Sequence, residues 1–147
     1  MKPYVHTQVG SVLLAIYGVV IPIVVYLVGV TGFALLPLAA LILVVLAAVA
    51  FATLRVSVDD RIILIRFGPG VFSRAFSLGD IDTHEVVRNR WYYGLGIRYI
   101  PGGWLFAVSG LSAVELQMKN GKRYRIGTDD PEGLSDAITE ALRGSRG

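Results

Sequence analysis

Residues 33–60 read FALLPLAALILVVLAAVAFATLRVSVDD, and the character of the chain changes within this stretch. Up to Leu54 the sequence is almost continuously apolar, which is typical of a helix inside a membrane. From Leu54 to Val58 apolar and polar residues alternate, which is typical of a half-buried β-strand, and Asp59 and Asp60 follow as a turn signal. The stretch therefore marks a boundary between a membrane segment and a β-rich segment.

Charged residues are distributed as unevenly as apolar ones. The 147-residue chain is 54% hydrophobic and 17% charged, with a mean hydropathy of +0.60. Residues 3–54 contain no Asp, Glu, Lys or Arg, whereas residues 55–147 carry thirteen basic and eleven acidic residues, a net charge of +2. This partition excludes a wholly soluble globule and a disordered chain. The small net charge also argues against nucleic acid as a partner, because binding it non-specifically needs a concentrated basic face.

A second apolar run, residues 9–30, precedes the first one and reads VGSVLLAIYGVVIPIVVYLVGV. Each run of about 22 residues would reach roughly 33 Å as a helix, enough to cross a ~30 Å hydrocarbon core. Thr31 and Gly32 between the runs predict a tight turn. We therefore expect residues 1–54 to form a transmembrane helical hairpin, with helices at about 9–30 and 33–54.

The flanking charges predict how this hairpin is oriented. Lys2 precedes the first helix, Arg55 follows the second, and the turn between them is uncharged. Under the positive-inside rule both termini lie in the cytoplasm, which predicts a multi-pass protein of the cell membrane with its β part on the cytoplasmic side. Ala50-Phe51-Ala52 is similar to a signal-peptidase site, but far more apolar sequence precedes it than a signal peptide contains, so cleavage is disfavoured.

Residues 55–147 show the pattern of a small β domain that ends in a helix. About seven short strands, separated by turns such as Pro101-Gly102-Gly103 and Asn120-Gly121, predict a sandwich or barrel. Thr128-Asp129-Asp130 followed by Pro131 predicts the start of an amphipathic helix at about 131–143. Its apolar stripe would cap the open end of the barrel.

Three segments of this part resemble a known family. Gly94-Leu-Gly-Ile-Arg98, Val108-Ser-Gly110 and residues 121–134 (GKRYRIGTDDPEGL) are similar to those of uncharacterised bacterial membrane proteins with a pleckstrin-homology-like (PH-like) domain. The resemblance implies an α+β membrane protein in which a helical hairpin precedes a PH-like seven-stranded barrel or sandwich with a capping C-terminal helix. It carries no agreed activity and no catalytic residues.

Two groups of basic and aromatic residues are candidates for contact with a protein partner or with anionic lipid. They are Arg88, Arg90, Trp91, Lys122, Arg123 and Arg125. Basic residues near an anionic membrane gain about 1 kcal/mol each, and aromatic side chains with a polar tip favour the interface. The alternative is that these arginines lie on an exposed sheet face, partly paired with Glu115 or with aspartates.

The sequence shows no catalytic or cofactor motif. Because the chain has no cysteine, thiolate nucleophiles and Cys-ligated metals are excluded. Asp80, Asp82 and His84 alternate and could hold a metal ion, but a solvated strand edge explains them better. Helix capping likewise explains the acids at residues 129–132 better than a calcium site. We expect no enzyme, no cofactor and no metal.

These observations together predict a membrane-anchored, non-catalytic binding or scaffold module. Because Arg55 directly follows the second apolar run, almost no linker separates the β part from the inner membrane surface. The expected partners are a protein, a second copy of the chain or an anionic phospholipid. The alternatives are a small subunit of a membrane transport complex and a lipid-modifying enzyme, which would need a pocket of convergent titratable groups.

Overall fold

A computed structural model describes residues 3–147, so Lys2, on which the predicted orientation partly rests, lies outside the described residues. Within this range the chain is an α+β protein with three helices and nine strands. The helices are α1 (Ser11–Val30), α2 (Leu35–Ala50) and α3 (Pro131–Ser145). The strands are β1 (Tyr4–Val9), β2 (Thr53–Val58), β3 (Ile62–Phe67), β4 (Phe72–Ser77), β5 (Ile81–Arg88), β6 (Gly96–Ile100), β7 (Gly103–Ala107), β8 (Ser112–Met118) and β9 (Arg123–Gly127).

Strand β1 is an element that the sequence analysis did not predict. It pairs antiparallel with β2, from Tyr4 opposite Val58 to Val9 opposite Thr53. The helix pair α1–α2 is therefore inserted between two neighbouring strands of one sheet, and its two ends lie side by side. The N–H of Gly10 donates to the carbonyl of Ala52 at 2.7 Å, which ties the two ends together just before α1 begins.

Both apolar helices are shorter than predicted. The first begins at Ser11 instead of residue 9, and the second ends at Ala50 instead of residue 54 because Thr53 and the residues after it join β2. With twenty residues, or about 30 Å, α1 is the one helix in the described part of the chain that is long and apolar enough to cross a membrane. A signal sequence near an N-terminus has the same length and apolar composition. With sixteen residues, α2 reaches about 24 Å.

Of the predicted barrel or sandwich, the structure has the sandwich, with two packed sheets and nine strands in place of about seven. The first has the order β1-β2-β3-β4 and the second the order β5-β8-β9-β7-β6, and no barrel closes because β4 and β6 stay unpaired edges. One neighbouring pair, β7 and β9, is parallel, and the other pairs are antiparallel. The sheets pack through buried side chains such as Phe67 and Phe106, whose ring centres are 6.4 Å apart.

The predicted C-terminal helix is confirmed, and it extends two residues beyond the expected end. The Asp130 side chain caps α3 by accepting a hydrogen bond from the N–H of Gly133 at 3.2 Å, and Pro131 is the first helical residue. Leu134 and Ile138 are fully buried. The helix packs on β5 and β8 and covers that side of the sandwich.

Strand β1 lies across the carboxyl ends of β9 and β7, and this shows which edge of the second sheet is nearer the helix pair. The Tyr4 hydroxyl donates to Asp130, just after β9, at 2.9 Å. Further along β1, the Gln8 amide donates to the carbonyl of Ser109, just after β7, at 3.1 Å. A path along β1 toward α1 thus passes β9 before β7, and β6 is the next strand beyond β7. The β6 edge therefore lies on the side of the helix pair, and β5 and α3 lie on the far side.

Candidate functional site

The sandwich is open at the end opposite β1, where the free edge of β4 faces the starts of β7 and β9. A cavity of about 480 Å³ lies there, within the usual size range of small-ligand pockets, roughly 300–1,000 Å³. We call it the open cleft. Its walls are formed by Arg74, Tyr99, Gly102, Gly103, Trp104, Gly121, Lys122, Arg123 and Tyr124.

Arg74 of β4 and Tyr124 of β9 join the two sheets in the open cleft. The Arg74 guanidinium donates to the Tyr124 hydroxyl at 3.0 Å. It also lies 4.8 Å from the centre of the Tyr124 ring and 5.6 Å from that of Phe76. A guanidinium has five N–H donors, and stacking on aromatic faces neither neutralises its charge nor uses its other donors. Arg74 is therefore held in place while it can still bind an anion.

Two exposed rings form the aromatic wall of the open cleft. Tyr99 of β6 and Trp104 of β7 are directly opposite each other in the strand pair, and their rings meet edge to face with centres 5.5 Å apart. Tyr99 is 73% exposed and Trp104 is 42% exposed. They present a flat apolar surface beside the basic groups.

Glycines allow two turns to approach each other at the mouth of the open cleft. Gly102 and Gly121 adopt φ values of +95° and +86°, which side chains rarely tolerate. A Cβ atom on Gly103 would overlap the carbonyl group of Arg123 on the neighbouring strand. The β6–β7 turn and the β8–β9 turn therefore lie side by side, and the second turn brings Lys122 to the same mouth.

The open cleft has an excess of positive charge. Of its three cations, Arg123 alone makes an ion pair within residues 3–147, with the Glu115 carboxylate at 3.8 Å. Arg123 is about half exposed, so solvent weakens this pair. Arg74 and Lys122 have no carboxylate partner in the described part of the chain.

The predicted contact residues of the β8–β9 turn divide into two environments. Lys122 and Arg123 line the open cleft. Arg125 shares with Arg123 the face of β9 opposite Tyr124, but it belongs to an internal network, where it donates to Glu115 at 2.7 Å and to Asn89 at 3.1 Å. Glu115 and Asn89 are buried, so the Arg125 charge is used inside the protein.

The other predicted contact residues lie together at the end of β5 and in the short 3₁₀ turn that follows it. Arg88, Arg90 and Trp91 are all exposed, and Trp91 is 80% exposed. Arg90 donates to the Tyr92 hydroxyl at 3.0 Å, and this hydrogen bond raises the pKa of the Arg90 guanidinium. Tyr92 lines a shallow depression together with Tyr99, which also lines the open cleft. The two predicted groups therefore flank strand β6.

Arg74 is the cleft residue that the sequence analysis missed. Phe72, Arg74 and Phe76 alternate along β4 and so share one face of the strand. Both phenylalanines pack in the core, which leaves Arg74 at the rim of that core. An arginine between two core-facing aromatic residues is the signal that could have identified it.

His84 and the acids before α3, which the sequence analysis considered as metal ligands, have structural roles. The His84 ring lies 3.0 Å from the Thr139 hydroxyl and 3.2 Å from the carbonyl of Ser135, so it links β5 to α3. Asp129 pairs with His6 of β1, and its neighbour Asp130 caps α3. Across residues 3–147, no three His, Asp or Glu side chains are grouped so that they could hold a metal ion.

No protein-family model matches the chain, and a comparison with curated proteins also found no match.

Proposed function

We propose that this chain is a membrane-anchored, non-catalytic binding module of the PH-like kind, which contacts protein partners or anionic phospholipid at the cytoplasmic surface of the cell membrane. The observation that carries this proposal is the insertion of α1 and α2 between the paired strands β1 and β2. Because Val9 and Thr53 are opposite each other, the helix pair leaves and re-enters the sheet at one place. If α1 crosses the bilayer, α2 must cross it in the opposite direction, because the chain re-enters the same sheet.

The surfaces of the two helices support a lipid environment. Val28 is the one buried residue of α1, and α2 has none. Large apolar surfaces of this kind are found in contact with lipid or with another protein. The sixteen-residue α2 is shorter than the hydrocarbon core, and Phe33-Ala34 and Phe51-Ala52 extend the apolar stretch at its two ends. Local thinning of the bilayer accommodates a short helix at a cost of fractions of a kcal/mol per Å.

Charges near the junction support a cytoplasmic β part. Arg55 and Arg66 are exposed and opposite each other on β2 and β3, close to the point where the helix pair leaves the sheet. Basic residues beside membrane helices favour the cytoplasmic side. Only Phe51 and Ala52 separate α2 from β2, so the β part has little freedom to move away from the bilayer.

The exposed aromatic residues support contact at the membrane surface. Trp91, Tyr92 and Tyr99 are 80%, 58% and 73% exposed, and they flank or belong to β6, the edge nearer the helix pair. Trp and Tyr side chains are enriched at membrane interfaces because one end of the ring system is apolar and the other is polar. We propose binding because cationic and aromatic side chains line the open cleft. Among these lining residues, all within residues 3–147, no nucleophile lies beside a general base.

The topology can be tested with single cysteines, since the natural chain has none. Thr31→Cys places a thiol in the turn between the helices, and Asn120→Cys places one in the β8–β9 turn. We expect a membrane-impermeant thiol reagent to label Thr31→Cys in intact cells and Asn120→Cys only after permeabilisation. Labelling of both from the same side, or release of the protein by alkaline carbonate, would contradict the proposed anchor.

The contact function can be tested by photo-crosslinking in the native membrane. A photoreactive residue at Tyr92 should capture lipid or a discrete protein band, whereas the same residue at Glu132, exposed on the far side in α3, should not. Lipid adducts identify a membrane contact, and a protein band identifies a partner. The same products at both positions, or none at Tyr92, would count against the proposal.

A further inference from the structure

We propose that the open cleft binds a phosphate-bearing anion through Arg74, Lys122 and Arg123. This inference rests on the proposed membrane function only if the ligand is a lipid headgroup, and it is independent of that function if the ligand is a soluble molecule. Three cationic residues line one concave site, and the one ion pair among them, from Arg123 to Glu115, is weakened by solvent. A concave surface lined by charges of one sign concentrates counter-ions. The ligand should therefore be negatively charged.

The number and type of cations favour phosphate over a single carboxylate. A phosphomonoester carries a charge of about −1.5 to −2 at neutral pH and three strong acceptor oxygens. Arg74, fixed by Tyr124 and by two ring faces, presents planar donors of the kind that pair with phosphate oxygens, and Lys122 adds a compact charge. One carboxylate would leave most of this charge uncompensated.

The aromatic wall indicates that the phosphate is part of a larger molecule. Tyr99 and Trp104 provide exposed apolar surface beside the cations, which a free inorganic ion would not use. An organic phosphate ester would place its phosphate between the cations and its carbon-containing part against these rings. The open cleft borders β6, the edge nearer the helix pair, so the ester can be either a soluble molecule or a lipid headgroup.

The test uses the full chain in nanodiscs, with Trp91→Phe as background so that Trp104 is the one tryptophan reporter. The soluble arm titrates glycerol 3-phosphate against phosphatidylcholine nanodiscs at constant ionic strength. The lipid arm compares those nanodiscs with ones that contain phosphatidic acid, which carries the same phosphomonoester on a lipid. A saturable change in Trp104 emission in the first arm identifies a soluble ligand, and a change in the second arm alone identifies a lipid headgroup.

Charge variants decide whether the open cleft is responsible. Lys122→Gln should weaken the response at least about fivefold, and Arg74→Gln combined with Lys122→Gln should weaken it further, because each removes a charge-assisted contact. The matched control is Arg61→Gln with Arg143→Gln, which removes two exposed charges elsewhere. If Arg74→Gln disturbs folding through its bond to Tyr124, the exposed Lys122 still provides the test.

Two outcomes would overturn the inference. One is the absence of a saturable Trp104 response in both arms. The other is an equal loss of response in the cleft variants and in the control, which would indicate attraction to net charge alone. A response in the soluble arm would support the open cleft even if the cysteine labelling contradicted the membrane anchor, so the two proposals can fail separately.

Discussion

Val9 and Thr53 face each other at the end of the first strand pair, although both apolar helices lie between them in the chain. Gly68, just after β3, closes this junction from the neighbouring turn. A Cβ atom on Gly68 would lie 2.6 Å from the carbonyl oxygen of Ala50 and 2.7 Å from that of Val49. Gly68 also has φ at +54°, so both its backbone and its surroundings require glycine.

Gly68→Ala should therefore destabilise the junction strongly. We expect a loss of about 2–4 kcal/mol in the free energy of unfolding, about 1 from the left-handed backbone and the rest from overpacking. Gly110→Ala is the matched control, because Gly110 has φ at +71° but open space around it, and should lose about 1 kcal/mol. Denaturant unfolding in detergent micelles measures both, and equal losses would show that the close approach to α2 is unimportant.

The second prediction concerns the ion pair between Arg125 and the buried Glu115. Glu115 is 7% exposed and accepts from Arg125 at 2.7 Å. Glu115→Gln should cost about 2–3 kcal/mol, because the half-buried Arg125 loses its countercharge. Arg123→Gln removes the longer, exposed contact to the same carboxylate and should cost less than about 0.5 kcal/mol. Thermal unfolding of the two variants compares them, and a larger effect of Arg123→Gln would refute the assignment of Arg125 as the main partner.

The hydrogen bond between Tyr4 and Asp130 should make the free energy of unfolding depend on pH in the alkaline range. Burial of the Tyr4 phenol, together with its hydrogen bond to Asp130, raises the pKa of Tyr4 well above its usual range. A raised pKa means that the contribution to stability is complete below about pH 10, the unfolded value, and is lost as the pH rises toward the folded value. Tyr4→Phe should cost about 1 kcal/mol at pH 8.

The difference in the free energy of unfolding between wild type and Tyr4→Phe should then become smaller from about pH 9 to about pH 11. Unfolding experiments on the two proteins in the same micelles measure it. All other side chains are the same in the two proteins, so the difference between them reports on the Tyr4 hydroxyl. A gap that stays constant over this range would mean that the hydroxyl does not bond Asp130 in the folded protein.

Local signals explain which parts of the fold were predictable. The start of α3 was predicted because its cap, Asp130, and its first residue, Pro131, are adjacent in sequence. The β8–β9 hairpin was predicted because Asn120-Gly121 specifies its turn. Strand β1 was missed because its six residues become a strand only through pairing with β2, and two helices separate the two segments. The parallel pairing of β7 with β9 is non-local in the same way.

The same distinction applies to the open cleft. Lys122 and Arg123 were identified because they flank a recognisable turn. Arg74 comes from β4, and only the packing of the two sheets brings it to Tyr124. Arg125 was grouped with its neighbours because residues near a turn look equally exposed in sequence. It shares a face of β9 with Arg123, and only the pairing of β9 with β8 and the nearby Asn89 place it in a buried network with Glu115.

The order of the second sheet predicts which of its edges meets the membrane. Strands β6 and β5 are its two edges, separated by four strand spacings, or about 19 Å. Tyr99 on β6 and Val86 on β5 are both exposed, at 73% and 47%, so either can accept a tryptophan. In a background of Trp91→Phe and Trp104→Phe, Tyr99→Trp and Val86→Trp each give a single fluorescent reporter.

Lipids brominated near the top of their acyl chains quench tryptophan only at short range. Since β6 lies on the side from which α1 and α2 leave the sheet, the Tyr99→Trp reporter should be quenched in nanodiscs of such lipids, and the Val86→Trp reporter should not. A bilayer around the helix pair can lie against β6 but cannot reach β5 without covering α3. Equal quenching of the two reporters, or stronger quenching at residue 86, would require the β part to tilt away from the direction of β1 and β2, and the proposed contact through Tyr92 and Tyr99 would then be wrong.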